Sequence, residues 1–336
     1  MIFDYYNNKT SGLILSRNLV PSSGYGGYLT NIGSLRNSGF EFSPTIIVVD
    51  KKDFIWSLGG NVTHNKQEIL NLGGDKEVFN FFGALRRVVG GPLQQMKGPK
   101  PIGIAQTGKT YPAQPNIKPG EVVYLDADKN GSIGNFLSDD GILFGDTNPD
   151  WIYGLNTSIK YRNFELSALM TGQAGAYVYD FIQIQVAAPI QPLVNLSKEF
   201  WYDGRYISES QPGNGRTPSA AAAGSDGILP VSAFGVQKTD YLRIRNVTLN
   251  YTIPESFLRK IGKIKSARVY TTIENLYTFT KFIGNNPEGR RTSAGGPSLL
   301  GGSQLSGVGD GLELGLTSPQ SVPIPRIWTV GLNFAF

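Results

Sequence analysis

The sequence predicts an all-β protein: an antiparallel transmembrane β-barrel, or the C-terminal portion of a larger one, with long loops at one rim and short turns at the other. Three observations predict it. Segments of strand length alternate large apolar side chains with small or polar ones, which places the apolar set on one face. The connections between those segments are alternately very short and very long, as in outer-membrane barrels. No run approaches the roughly 20 apolar residues of a membrane helix, so a lipid-facing chain here must satisfy its backbone by strand pairing.

The strands follow in order. Phe40, Phe42, Ile46 and Val48 oppose Glu41, Ser43 and Thr45. The polar tetrad Asp50-Lys51-Lys52-Asp53 then makes a tight turn. Beyond it, Phe54, Trp56, Leu58 and Val62 oppose Ser57, Gly59, Asn61 and Thr63. Tyr153, Leu155, Ile159 and Tyr161 oppose Gly154, Asn156, Ser158 and Lys160; after the Tyr161-Arg162-Asn163 turn, Phe164, Leu166, Ala168 and Met170 oppose Asn163, Glu165, Ser167 and Thr171. Val247, Leu249, Tyr251 and Ile253 oppose Asn246, Thr248, Asn250 and Thr252. The chain closes on WTVGLNFAF, with Trp328, Val330, Leu332, Phe334 and Phe336 on one face. Trp328, Phe334 and Phe336 are expected to serve membrane contact and barrel assembly, and Trp56, Trp151, Tyr251 and Trp328 to join interfacial aromatic girdles. Roughly ten strand candidates of spanning length result.

Composition agrees. The 336 residues are 40% hydrophobic and only 17% charged, with 42 glycines, against about 25% charged in ordinary soluble domains. There is no cysteine, which excludes a disulfide framework and a thiolate metal site. The net charge of +5 is scattered, without the basic stripe that nucleic-acid binding needs. The N-terminus MIFDYYNNKT has no basic n-region, apolar core or cleavage site, so it is not a secretory signal.

Three excursions, about 67–150, 186–238 and 282–322, are rich in Gly, Pro, Ser and Asn. Structureless loops of such length are usually functional. Short helices are expected over Leu196–Tyr202 and over Pro254–Ile261, the latter opened by proline and closed by Gly262. The alanines 220–223 are read as loop.

Several motifs invite a chemical reading. Gly103–Thr110 (GIAQTGKT) matches the phosphate-binding loop pattern, but Pro112 and Pro115 follow at once and deny it the helix whose N-terminus would hold phosphate. Asp126, Asp128 and Asn130, with Gly131 at the turn, resemble the start of a calcium loop. Position twelve is Leu137 rather than Glu, so calcium requires Asp139 or Asp140 to bend in; otherwise this is an acidic turn. His64 is the only histidine and lacks a nucleophile motif, so no catalytic residue is assigned. Asp139 with Asp140 is read as loop solvation rather than as a glycosidase pair. Trp201, Tyr202, Tyr206 and Phe234 lie in the second excursion, where aromatic faces could meet a sugar or pack the loop on itself.

Taken together, NIGSLRNSGFEF (31–42), DFIWSLGGNVTHNKQEIL (53–70), DWIYGLNTSIKYRNFELSALMTGQAG (150–175), DYLRIRNVTLNYTIP (240–254), ARVYTTIENLYTFT (267–280) and the closing PIPRIWTVGLNFAF resemble the SusC/RagA family of TonB-dependent outer-membrane transporters, in the order of that family's C-terminal portion. The resemblance implies a plugged barrel of about 22 strands in the outer membrane of a Gram-negative bacterium. It implies import of an oligosaccharide or peptide under a SusD-like lipoprotein lid, with energy from TonB. Residues 1–336 then form the back of such a barrel, its plug, TonB-contacting part and first strands lying outside this sequence. Asn156, Glu165, Asn246 and Asn250 would line the passage. Two rivals remain: a soluble or surface-attached β protein that binds carbohydrate, and a purely structural or adhesive outer-membrane barrel.

Overall fold

The computed structural model describes residues 1–18, 27–74, 76–80, 85–134, 140–180, 202–225, 235–259, 264–288 and 323–336, with positions 22, 24 and 198. The chain opens with β1 (Ile2–Asn18), β2 (Gly27–Ser43), β3 (Thr45–Lys51) and β4 (Phe54–Leu72). Six short strands follow: β5 (Glu77–Asn80), β6 (Leu85–Val88), β7 (Gln95–Pro99), β8 (Pro101–Ile104), β9 (Val122–Tyr124) and β10 (Gly141–Asp146). Next come β11 (Trp151–Tyr161) and β12 (Phe164–Ala174), then the small β13 (Tyr177–Tyr179) and β14 (Val236–Lys238). β15 (Tyr241–Thr252), β16 (Ser266–Thr280) and β17 (Ile327–Ala335) complete the set.

Nine of these build one sheet in the order β1-β2-β4-β11-β12-β15-β16-β17, with β3 also paired to β4. Every pairing in it is antiparallel. β3 continues β2 past Pro44, which cannot donate to the ladder, so the nine strands make eight passes. The long excursions 73–150, 175–240 and 281–326 leave from one rim; the turns 52–53 and 162–163 and the segment 253–265 lie at the other. The first excursion is not structureless. It carries the four-stranded sheet β10-β7-β6-β5 and the ribbon β8-β9, which satisfy backbone groups that an irregular loop would leave to water.

The apolar face of the main sheet is bare. Trp328, Val330, Leu332 and Phe334 are 66%, 76%, 59% and 50% exposed, and no second layer covers them among the described residues. Register carries this face across the sheet: Phe54 meets Tyr161, Tyr161 meets Phe164, and Phe164 meets Tyr251, the last two rings 4.7 Å apart. A continuous apolar band of this extent is stable against lipid and not against water. One polar residue on it, Thr157, is satisfied internally. Its hydroxyl accepts from the Trp56 indole N–H at 3.0 Å and donates to the Ser57 carbonyl at 3.2 Å.

Strand glycines have a specific use here. Gly39, Gly172 and Gly331 lie directly opposite Tyr6, Tyr153 and Tyr270, and a Cβ on any of the three would intrude on the tyrosine ring. The missing side chain lets each ring lie flat over the neighbouring strand, restoring the surface that glycine removes. Tyr153 also donates its hydroxyl to the Tyr241 carbonyl at 3.0 Å.

Simple alternation fails at two places. A register shift between Ile47 and Val49 puts Val49, not Val48, opposite Trp56. Another falls between Ile244 and Asn246, against both β12 and β16. Continuing the odd positions of Val247, Leu249 and Tyr251 would aim Arg243 and Arg245 at lipid. The bulge at Arg245 instead brings Ile244 opposite Met170 and Arg243 opposite Thr171 and Thr278, so both arginines join the polar face. Bulges re-aim side chains in this way.

The alanine run is helical rather than loop: Ala220–Ser225 forms a short helix. Alanine has the highest helix propensity, and the Ser219 hydroxyl accepts the Ala222 N–H at 3.3 Å as an N-cap. The helix after Pro254 is present but short, Glu255–Leu258. Leu196–Tyr202 lies almost wholly outside the described residues.

Gly331→Val is expected to destabilise the β16–β17 pair by about 1–3 kcal/mol through overpacking against Tyr270, while Gly331→Val with Tyr270→Ala recovers most of the loss. Urea unfolding of the whole transporter in detergent, read on heat-modifiability gels, measures both.

Candidate functional site

The polar face of the sheet is the candidate passage. Asn156 stands over Gly59, where a Cβ would come within 2.6 Å of its Oδ1. Glu165 accepts the Ser158 hydroxyl at 3.1 Å. Thr248 donates to Asn246 Oδ1 at 2.8 Å and lies 2.9 Å from the Thr272 hydroxyl. Asn250 sits on the same face, opposite Glu165 and Tyr270. All four residues expected to line the passage therefore share one side, opposite the bare apolar band. With Ser158, Thr248 and Thr272 beside them, they make a hydroxyl- and amide-rich surface that can hydrogen-bond a polar solute.

Near the long-loop end of this face is a charged cluster that sequence periodicity alone misses. Arg243, 3% exposed at its side chain, pairs with Glu288 at 2.5 Å. Its other nitrogens donate to Thr278 at 2.8 Å and Asn286 at 3.1 Å. Arg245 also pairs with Glu288, and the Tyr241 hydroxyl donates to it. Arg245 Nε donates to Thr171 at 2.9 Å. Glu288 belongs to the third excursion, so this cluster fastens the root of that loop onto the polar face. The signal for it was available: two arginines on a strand whose apolar phase would send them into lipid, a placement so costly that the phase must break.

The first two excursions are fastened to each other. The Gly120 carbonyl accepts the Ser219 N–H at 2.9 Å. Gly120, at φ +89°, has no room for a Cβ, because Ser219 and the Tyr206 ring would lie within 2.8 Å of it. Tyr206 is accordingly buried, 5% exposed, with its hydroxyl 3.3 Å from that of Thr107. Tyr202 is 61% exposed. Trp201 and Phe234 lie outside the described residues.

Asp140 closes the acidic turn. Oxygens of Asp126, Asp128 and Asp140 lie within 4.8 Å of one another. Asp126 accepts the Asn130 and Gly131 N–H groups at 3.2 and 2.9 Å. Buried Asp140 accepts those of Ala127 and Gly134 at 2.9 and 2.5 Å. Asn130 bonds Asp128 and Ser132 with its side chain. Leu137 and Asp139 lie outside the described residues.

Two motifs resolve into structure. Gly103 and Ile104 end β8, and no helix follows; the Gln106 N–H donates to the Tyr111 hydroxyl and the Lys109 N–H to the Gln106 carbonyl. His64 donates from Nδ1 to the Asp150 carbonyl at 2.9 Å. Its ring lies 4.5 Å from that of Trp151 and 5.9 Å from that of Phe40, so it is part of the aromatic row on the apolar face.

Comparison with known proteins agrees with this architecture. No protein-family profile matches the chain. TonB-dependent receptor P3 of Formosa agariphila is 27% identical over 99% of the chain and 32% of its own length. TonB-dependent receptor SusC of Bacteroides thetaiotaomicron is 28% identical over 85% of the chain and 27% of its own length. Among solved structures, the RagAB peptide importer in its open-open state superimposes with a TM-score of 0.76 at 18% identity, over 99% of the chain and 32% of the matched one. This chain is SusC/RagA-like. It spans about a third of the length of the curated relatives it matches. The SusC/RagA-like fold and its apolar band place it in the outer membrane of a Gram-negative bacterium. The relatives and neighbours are receptors and importers rather than enzymes.

Arg243→Ala strands Glu288 beside a lone Arg245 and is expected to cost about 3–5 kcal/mol, as removal of one partner of a buried pair does. Limited proteolysis would then cut within 281–288 much faster than in the parent, while Glu288→Gln, which keeps one accepting oxygen and loses the other along with the charge, gives an intermediate rate.

Proposed function

We propose that this chain forms the C-terminal wall of a TonB-linked outer-membrane transporter that imports a bulky nutrient, an oligosaccharide or a peptide, together with a SusD-like surface lipoprotein. The observation that carries the reading is the pairing of a bare apolar face with a polar one in a sheet whose long excursions all leave at one rim. Similarity to SusC and to the RagAB peptide importer supports it. The remaining strands, a plug and the TonB contact would come from further protein. β1 and β17 each pair on one side only among the described residues, and an open strand edge is not tolerated in lipid. Asn156, Glu165, Asn246 and Asn250 line the passage, and Tyr202 is the described loop aromatic free to meet a solute. Trp328, Phe334 and Phe336 serve lipid contact and barrel assembly. No catalytic step is assigned.

Calcium at the acidic turn belongs to the same proposal. Asp126, Asp128 and Asp140 supply the hard oxygen donors it takes, and its role would be to rigidify the first excursion. Calorimetry with CaCl2 is expected to give one site, lost in Asp128→Ala; an absence of heat removes calcium from the reading.

The main test is fractionation and capture from cells carrying the whole transporter with a tag. Recovery in the outer-membrane fraction with a surface lipoprotein, and loss of uptake of one solute class on deletion, is the expected result. Recovery without detergent favours the soluble carbohydrate binder instead. An outer-membrane protein with no lipoprotein and no uptake defect favours a structural barrel.

A further inference from the structure

The apolar face changes character abruptly at its long-loop end. The last aromatic row reads Tyr5, Phe40, His64 and Trp151 across four paired strands. The next row on that face is Asn7, Ser38 and Lys66, and the one after it Lys9, Arg36 and Glu68. Lys9 and Lys66 are exposed; the Arg36 side chain is 43% exposed and reaches Glu68 at 3.3 Å. Three cations and one carboxylate thus sit on the lipid side of the wall, immediately above the aromatic row.

Their height is informative. Two and four residues along a strand are about 7 and 13 Å, or about 5 and 10 Å along the membrane normal at the usual barrel tilt. The headgroup layer of a bilayer is about 5–7 Å deep on each side. Lys66 therefore stands at headgroup level when Phe40 and Trp151 stand at the acyl boundary, and Lys9 and Arg36, whose backbone lies about 3–5 Å beyond that layer, reach back into it with their long side chains. A solute in the passage would meet the opposite face of the sheet and never reach them.

Resting on the outer-membrane reading above, we propose that Lys9, Arg36 and Lys66 form a docking strip for the phosphorylated headgroup of an outer-leaflet lipid whose acyl chains lie along Phe3, Phe40 and Trp151. Charge selects the headgroup: Arg36 offers a planar fork matched to phosphate oxygens, and flanking lysines add point charges. Glu68 orients the guanidinium without neutralising the strip. Phe40 lies 5.9 Å from Trp151 and 6.3 Å from Phe3, so the chains meet a continuous aromatic surface directly below the charges.

The test uses the whole transporter extracted from its own outer membrane in mild detergent, with co-purified lipid counted by native mass spectrometry. Replacing Lys9, Arg36 and Lys66 by Gln is expected to strip the phosphorylated lipid, at about fivefold in affinity per cation and roughly a hundred-fold for all three. Lys51→Gln with Lys52→Gln, at the opposite rim, should leave it bound. Unchanged lipid in the triple variant, or equal loss in the control, overturns the proposal, as does loss of a captured protein in place of lipid. Should the triple variant not assemble, the parent in nanodiscs decides. Preference for a phosphorylated over a dephosphorylated lipid of the same chains is expected; no preference overturns the strip. A parent absent from the outer-membrane fraction sinks the location itself, a result distinct from either.

Discussion

A backbone in hydrocarbon must make all its hydrogen bonds to itself, and the rest of this structure depends on that constraint. It forces each pass to pair along its length with its neighbours, which fixes register, and register fixes which side chains share a face. Once Phe54, Tyr161, Phe164 and Tyr251 are in line, every alternate residue between them is committed to the opposite side. The same constraint explains Thr157, whose hydroxyl on the apolar face is held between an indole and a carbonyl rather than left unsatisfied.

The tyrosine–glycine pairs and the bulge at Arg245 are two answers to a second demand, that a sheet wall be curved and its polar surface shaped. Opposite Gly39, Gly172 and Gly331, a tyrosine ring lies across a strand that has no side chain to resist it. At Arg245 the strand gains a residue and changes phase. Arginine is among the residues that lipid tolerates least. The phase change turns two of them away from the membrane and spends their charge on Glu288. A local irregularity in one strand thereby anchors a loop that begins after another.

The loops extend this logic to the rim. The first two excursions lock together at Gly120 and Tyr206, and the third is held at Glu288. Rim loops fastened to one another and, through Glu288, to the wall hold a defined surface at one rim while the apolar band stays on the other face of the sheet. The height of that band in the membrane gives Lys9, Arg36 and Lys66 their place at the headgroups.

The sequence by itself determined the fold class, because a period of two is a local property. Trp328 to Phe336 or Phe54 to Thr63 can be assigned to faces without knowing their neighbours. It also exposed the false phosphate loop, since Pro112 and Pro115 forbid a helix wherever that segment lies. That Asn156, Glu165, Asn246 and Asn250 share the polar face was legible for the same reason. What it could not supply depends on residues far apart in the chain. The phase of β15 is set by pairing with β12 and β16, so Arg243 faces the polar side for a reason outside its own segment. Asp140 closes the acidic turn and Ser219 caps the alanine helix, one through a chain reversal and one through a local bond too weak to announce itself in composition. Tyr206 looks like a loop aromatic open to solutes until Gly120, 86 positions earlier in the chain, is seen to leave room for its ring. The local Ser219 cap apart, only the tertiary structure decides such cases, because each depends on which distant backbone comes close enough to touch.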